Sequence, residues 1–280
     1  MKNIFIALVA VLSQTTMTAQ IQTPQQSPKA EIHQQVGLTE VDVVYSRPSA
    51  RTRTVYGNLV PFGKLWRTGA NENTLITFSD DVVIDGKKLP KGKYSLYTIP
   101  NIQSWDVIFY KTTDNWGTPK TFEEANVALK TTVKEIAIPN AVETFTIGIN
   151  NIDTNGAALE MAWEHSFVSM KFEVPTQQKT MESIEKVLGG ATGGDYFAAA
   201  QYFLQSNGDV NKANTYIEKA LELTPEKPFY YLRLKSLILA KKGDRNGALE
   251  AAKASLIASE KAGNQDYVKM NKDSITEWSK

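Results

Sequence analysis

"TEVDVVYS", residues 39–46, sets Val41, Val43 and Tyr45 on one side of an extended chain and polar neighbours on the other. A period of two is the mark of a strand with one buried face. The alternation returns in "TLITF" (74–78), "KYSLYTI" (93–99), "WDVIFY" (105–110), "ETFTIGI" (143–149), "LEMAW" (159–163) and "VSMKFEV" (168–174). Short strands at near-regular spacing over residues 30–175 predict an antiparallel β-sandwich, with a jelly-roll-like order as one arrangement. Asp85-Gly86 and Asn155-Gly156 are dipeptides that favour positive-φ hairpin turns, and "LPKGKY" (89–94) supplies another turn.

Beyond Pro175 the hydrophobic period changes to 3.6, and Ala, Leu, Lys and Glu dominate. Residues 176–280 therefore read as a second, all-α domain, giving an α+β chain in two parts. At an offset of 35 this region matches itself: Gly208-Asp209 falls on Gly243-Asp244, Ala213 on Ala248, and Leu221 on Leu256. The first unit resembles a tetratricopeptide repeat, whose period is about 34, through Gly208, Ala213, Ile217, Ala220, Leu221 and Pro225. The second unit departs from that pattern at Ser255 and Glu260. A last helix around residues 265–278 would cap the stack, and "GGATGG" (189–194) reads as a flexible break before it begins. Stacked helix pairs offer a concave surface for a partner protein; packing on the sheet domain is the competing role.

The N-terminus has Lys2, an apolar run from Ile4 to Leu12 and a polar stretch ending "TTMTAQ", the layout of a secretory leader cut near Ala19. Residues 1–19 are read as that leader and 20–29 as a flexible, polar, proline-containing lead-in. With no cysteine anywhere, disulfides, thiolate chemistry and a lipid-bearing cysteine are all excluded. The expectation is a protein free in the periplasm or outside the cell, with no membrane span once the leader is gone. A formal charge of +1 with interspersed signs leaves no footprint for nucleic acid.

Several motifs fail on their chemistry. "GNLVPFGK" (57–64) has the wrong glycine spacing for a phosphate-binding loop, and Leu65 stands where a magnesium ligand belongs. "NIDTNG" (151–156) puts Ala162 where a calcium loop needs glutamate, so it reads as a turn. His33 and His165 lie in separate strands with no spacing that selects a metal, and no G-x-S-x-G elbow accompanies them. Neither a metal nor a cofactor is expected. Asp80 and Asp81 are adjacent and would point in opposite directions at a strand end.

One run is denser in chemistry than any other. "YSRP" (45–48), "GNLVPFGKLWRTGANE" (57–72), "LPKGKYSLYTIP" (89–100) and the later "ETFTI" and "AWE" resemble, in that order, the DUF2911 family of secreted bacterial proteins, over most of residues 40–174. That resemblance implies a β-sandwich and export, and implies no known activity. The residues themselves point to a polar ligand. Arg47, Arg53 and Arg67 present planar donor forks, and Tyr45, Trp66 and Tyr97 present flat amphipathic surfaces. Asn71 and Glu72 add an amide and a carboxylate, while Gly69 permits close backbone approach. A glycan, a cell-wall fragment or a carboxylate-bearing metabolite would suit them.

Three functions are consistent with this chemistry. The first is a non-catalytic recognition module that binds such a ligand through these residues. The second is a hydrolase using Glu72 with a second acid such as Asp42, about 5–9 Å away. The third is a structural or assembly protein with no small ligand, with a large exposed apolar patch on the helical half and no pocket near Trp66. In the sheet half the competing role of the arginines and Glu72 is an internal network that locks a long loop. Trp105 and Trp116 read as core or rim residues.

Overall fold

A computed structural model describes residues 23–187 and 190–280. The expected leader and its cut near Ala19 lie outside the described residues. Nine strands come first: β1 (Lys29–Val36), β2 (Thr39–Ser46), β3 (Thr74–Phe78), β4 (Val82–Ile84), β5 (Lys87–Leu89), β6 (Gly92–Pro100), β7 (Ser104–Tyr110), β8 (Val127–Asn150) and β9 (Gly156–Glu173). Six helices follow: α1 (Thr176–Val187), α2 (Gly193–Gln205), α3 (Val210–Glu222), α4 (Phe229–Lys242), α5 (Arg245–Lys261) and α6 (Gln265–Trp278).

The strands form one antiparallel sheet in the order β1-β2-β3-β6-β7-β8-β9-β4-β5. It is a meander interrupted once, where the β4-β5 hairpin crosses to pair with β9. The length of β8 folds the sheet over. Residues 127–134 pair with β7, and residues 135–150 pair with β9, with register shifts between Ala137 and Thr146 that let the strand bend. Two layers thus face each other. Val41, Val43 and Tyr45 of β2 join Phe145, Ile147 and Ile149 of β8 in the buried core. Phe78 of β3 meets Phe172 of β9 with ring centroids 5.6 Å apart.

Two expectations about the strands need correction. "LEMAW" and "VSMKFEV" belong to one strand, β9, interrupted only by Glu164 at φ 54°. The polar-looking "VALKTTVKEIAI" is the first half of β8. The turns divide likewise. Asp85 (φ 51°) and Gly86 (φ 70°) make the expected positive-φ turn between β4 and β5. In the β8-β9 turn the left-handed residue is Asn151 (φ 52°), whereas Gly156 opens β9. A Cβ on Gly156 would lie 2.5 Å from the Phe172 carbonyl oxygen, so it is glycine because two backbones touch.

In the helical half, the 35-residue offset has a structural counterpart. Asp209 caps α3 by accepting from the amides of Asn211 and Lys212, and Asp244 caps α5 by accepting from Gly247. Ala213 and Ala248, one turn into each helix, are both buried. The glycine-rich break is shorter than its composition implies. Thr192 and Asp195 form a capping box, so Gly193 and Gly194 lie in the first turn of α2. A Cβ on Gly193 would stand 2.1 Å from Thr224 Oγ1 at the end of α3.

Helix α1 is fastened to the sheet by a charged clasp. Lys179 Nζ donates to both carboxylate oxygens of Asp80 (2.9 and 2.8 Å) and to the Leu38 carbonyl, and Thr39 and Ser79 donate to the same carboxylate. Asp81 turns the other way, to Lys88 and the Lys91 amide. Partial burial pushes the Asp80 carboxyl up, but donation from Lys179, Ser79 and Thr39 outweighs it, and its pKa falls below the ordinary value. A depressed folded-state pKa means stability that is present above the unfolded pKa and is lost as pH falls through the folded one. The stability gap between wild type and Asp80→Asn should therefore be widest at neutral pH and close between about pH 5 and pH 2. Urea midpoints across that range test it; a gap that stays constant would show that the carboxylate contributes no charge-dependent stability.

Candidate functional site

The connection from β2 to β3 runs over residues 47–73 with only isolated bridges, far beyond the roughly 12–15 residues at which a structureless loop becomes uncommon. It lies across one end of the two layers and is pinned to both. Ala50 N donates to Glu143 O and Phe145 N donates to Pro48 O, joining the loop to the free edge of β8. Trp66 and Thr98 exchange backbone hydrogen bonds, joining it to β6. Val55 and Val60 plug the core.

Between this loop, residues 25–29 and the segment after β7 lies a cavity of about 800 Å³. That is within the range of roughly 300–1,000 Å³ usual for small-molecule sites. Of the residues singled out from sequence, Arg53, Trp66, Arg67, Asn71 and Glu72 line it. Four basic side chains, Lys29, Arg51, Arg53 and Arg67, face a single acid, Glu72, among its lining residues. The cavity is cationic.

The three arginines of the wall differ in how they are held. Arg51 donates from both terminal nitrogens to Gln26, and Arg53 donates to the carbonyls of Ala50 and Ser49. Arg67 is half-buried, its Nε is shut off from solvent, and that Nε meets no acceptor among the described residues. Burial pulls its pKa down from the ordinary value. A guanidinium N–H desolvated without an acceptor is costly to the free protein. Arg67→Met, which keeps the apolar stem, should leave stability unchanged or raise it by about 1 kcal/mol. A loss of more than about 1 kcal/mol in urea unfolding would mean that the guanidinium braces the loop.

Trp66 is buried as a wall between cavity and core. Its indole stacks on Trp163 at 5.9 Å, meets Phe145 at 5.0 Å, and donates Nε1–H to the Gly69 carbonyl. Asn71, at φ 57°, donates to Ser27 O and Ser46 Oγ. Glu72 is exposed and has no ion-pair or hydrogen-bond partner among the described residues.

Tyr45, Arg47 and Tyr97 are placed elsewhere. The Tyr45 hydroxyl donates to Ile147 O and accepts from Ile147 N; Arg47 donates to Phe145 O and Thr146 Oγ1. The two share a face, as their spacing requires, and both brace β2 against the edge of β8. Tyr97 is fully buried in a small cluster with Ile108 and Tyr110, where its hydroxyl accepts from Asn115 and donates to Gly117 O. That contact holds the two neighbours of Trp116, which stands 72% exposed at the cavity rim. Trp105 is core.

Sequence reasoning passed over Arg51, Lys29 and the polar residues 25–27. The last were read as a loose lead-in, yet Gln26, Ser27 and Pro28 accept from Arg51, Asn71 and the Arg47 amide, and Lys29 begins β1. Their signal was proximity in the fold and not residue type. Asp42, the proposed second acid, sits away from the cavity lining, 2.5 Å from His33 Nδ1 on the β1-β2 surface, and that contact raises the His33 pKa. His165 Nδ1 lies 3.0 Å from the Ile138 carbonyl.

No curated protein matches the chain. Among solved structures it is similar to a Bordetella parapertussis protein determined in solution, 22% identical, covering 35% of this chain and 85% of that one with a TM-score of 0.32. The family model described as "Protein of unknown function (DUF2911)" matches residues 27–172. That match starts at the cavity wall, takes in the long loop and the strands that carry it, and covers more than half of the chain, so the protein belongs to the DUF2911 family.

Proposed function

We propose that the sheet half is a recognition module that binds a small polar or glycan-type ligand in the cavity between the long loop and Trp116. The observation that carries this reading is the unpaired Arg67 guanidinium in the wall of a cavity whose rim displays an exposed tryptophan. A protein bearing the cost of both gains from a ligand that covers them. A paired-carboxylate hydrolase lacks support, because Glu72 has no second acid beside it among the lining residues. A structural protein with no small ligand is expected to have no pocket at Trp66, and the cavity there favours the binding reading.

The leader-like N-terminus and the absence of cysteine support export to the periplasm or exterior. Among the described residues no helix is long and apolar enough to cross a membrane. The capped, offset helix pairs support a tetratricopeptide-like tail that contacts another protein.

The test is a thermal-shift screen of the full mature chain against cell-wall fragments, neutral and acidic glycans and organic acids, with Trp116→Ala in parallel. A ligand at a hundredfold over its dissociation constant should add about 2.7 kcal/mol. Stabilisation of wild type that Trp116→Ala loses while remaining folded supports the site. Stabilisation unchanged in that variant, or none by any compound, overturns it.

A further inference from the structure

The cavity's charge and shape narrow the ligand class, an inference that rests on the binding reading above. We propose that the ligand is an acidic saccharide, a pyranose carrying a carboxylate, with the carboxylate on Arg67 and the ring against Trp116.

Arg67 decides the charge. Arg51 and Arg53 already donate to protein acceptors, whereas Arg67 makes no side-chain hydrogen bond or ion pair among the described residues. Of its nitrogens only Nε is closed to solvent, which leaves the terminal pair for a ligand. A guanidinium is a planar fork, and its best match is a planar carboxylate that accepts two parallel hydrogen bonds. Glu72 is the one carboxylate in the lining, and it is exposed and unpaired with any arginine of the wall. The Arg51 and Arg53 side chains meet only neutral acceptors and Arg67 meets none, so among the described residues no carboxylate pairs with the arginines of the wall, and the ligand brings the anion. Arg51 and Arg53 extend the positive field along the wall and would draw an anion in from solution, while Lys29 is paired with Glu31 at 3.3 Å.

Trp116 decides the ring. An indole 72% exposed on the rim is a flat surface that can take the C–H face of a pyranose. The loop that carries it is anchored below, since Asn115 donates to the Tyr97 hydroxyl and to Gly117 O, and Tyr97 is buried. The platform is therefore held in place before a ligand arrives, which lowers the ordering cost of binding. The wall also offers amides and hydroxyls, from Gln25, Gln26, Ser49 and Asn71, of the kind that meet sugar hydroxyls.

The experiment uses matched pairs on the full mature chain by calorimetry: glucuronate with glucose, galacturonate with galactose, and N-acetylmuramate with N-acetylglucosamine. The expected result is that at least one acid binds roughly 10- to 100-fold more tightly than its neutral partner. That preference should disappear in Arg67→Met, weaken in Arg67→Lys, which keeps the charge but loses the fork, and decline as salt is raised. Neutral sugars binding as well as their acids, or an acid preference that survives Arg67→Met, would overturn the assignment while leaving the cavity a binding site. Binding only by non-saccharide anions such as citrate or inorganic phosphate would also overturn it with the site intact. If no probe in either experiment binds, the binding reading falls as well.

Discussion

Trp66→Ala is expected to lower the stability of the sheet half by about 3–5 kcal/mol, the cost usual for deleting a large buried aromatic. The indole packs on Tyr56, Trp105, Phe145 and Trp163 with centroids between 5.0 and 6.3 Å, so its loss opens a void among rings that are themselves held by the fold. It also leaves the Gly69 carbonyl without its donor, which adds to the cost. Trp116→Ala removes a side chain of the same size at the same cavity, yet its effect on stability should stay within about 0.5 kcal/mol because the indole is exposed. Urea unfolding of the pair, followed by circular dichroism, separates the two roles. Equal midpoints for the two variants would mean that the long loop is not seated in the core.

Gly69→Ala should cost about 2–4 kcal/mol and disturb the cavity together with the fold. A Cβ there would stand 2.9 Å from the Ser46 carbonyl oxygen and 3.1 Å from Thr74 Oγ1. The nearer atom is strand backbone, which cannot rotate away. The neighbours leave no slack: Thr68 is buried at φ 55° and Asn71 holds φ 57°, so the turn already carries two non-glycine left-handed residues. Relief would come from moving the loop outward, which breaks the Trp66–Gly69 hydrogen bond and shifts Arg67 and Asn71. Unfolding measurements and ligand titration of the same sample should fall together. A variant as stable as wild type would show that the approach of loop to β2 is looser than these distances.

The two variants mark where sequence reading succeeds and where it stops. Strand faces were legible because alternation is a local property: Val41, Val43 and Tyr45 are buried whatever lies opposite, and their period says so. The helix caps show the same locality, since Asp209 and Asp244, matched at the 35-residue offset, accept from amides two or three residues ahead of them. Five of the residues chosen from sequence, Arg53, Trp66, Arg67, Asn71 and Glu72, line one cavity.

Residue type could not say which arginine is spoken for. Arg47 and Arg67 are chemically identical, but Arg47 reaches Phe145 O and Thr146 Oγ1, nearly a hundred positions along the chain, whereas the Arg67 Nε reaches nothing. Tyr97 was chosen for its surface, and the fold spends that surface underneath Trp116 as an anchor. The plain composition of residues 25–29 concealed a cavity wall. Sequence by itself determined the change from strands to helices after Pro175, the buried face of β2 and the tight turn at Asp85-Gly86, because each depends on neighbours a few residues away. The tertiary structure alone decided which polar groups found partners across the bend of β8 and which, like the Arg67 Nε, found none among the described residues, because a hydrogen bond is made by whatever distant backbone the fold brings within 3 Å.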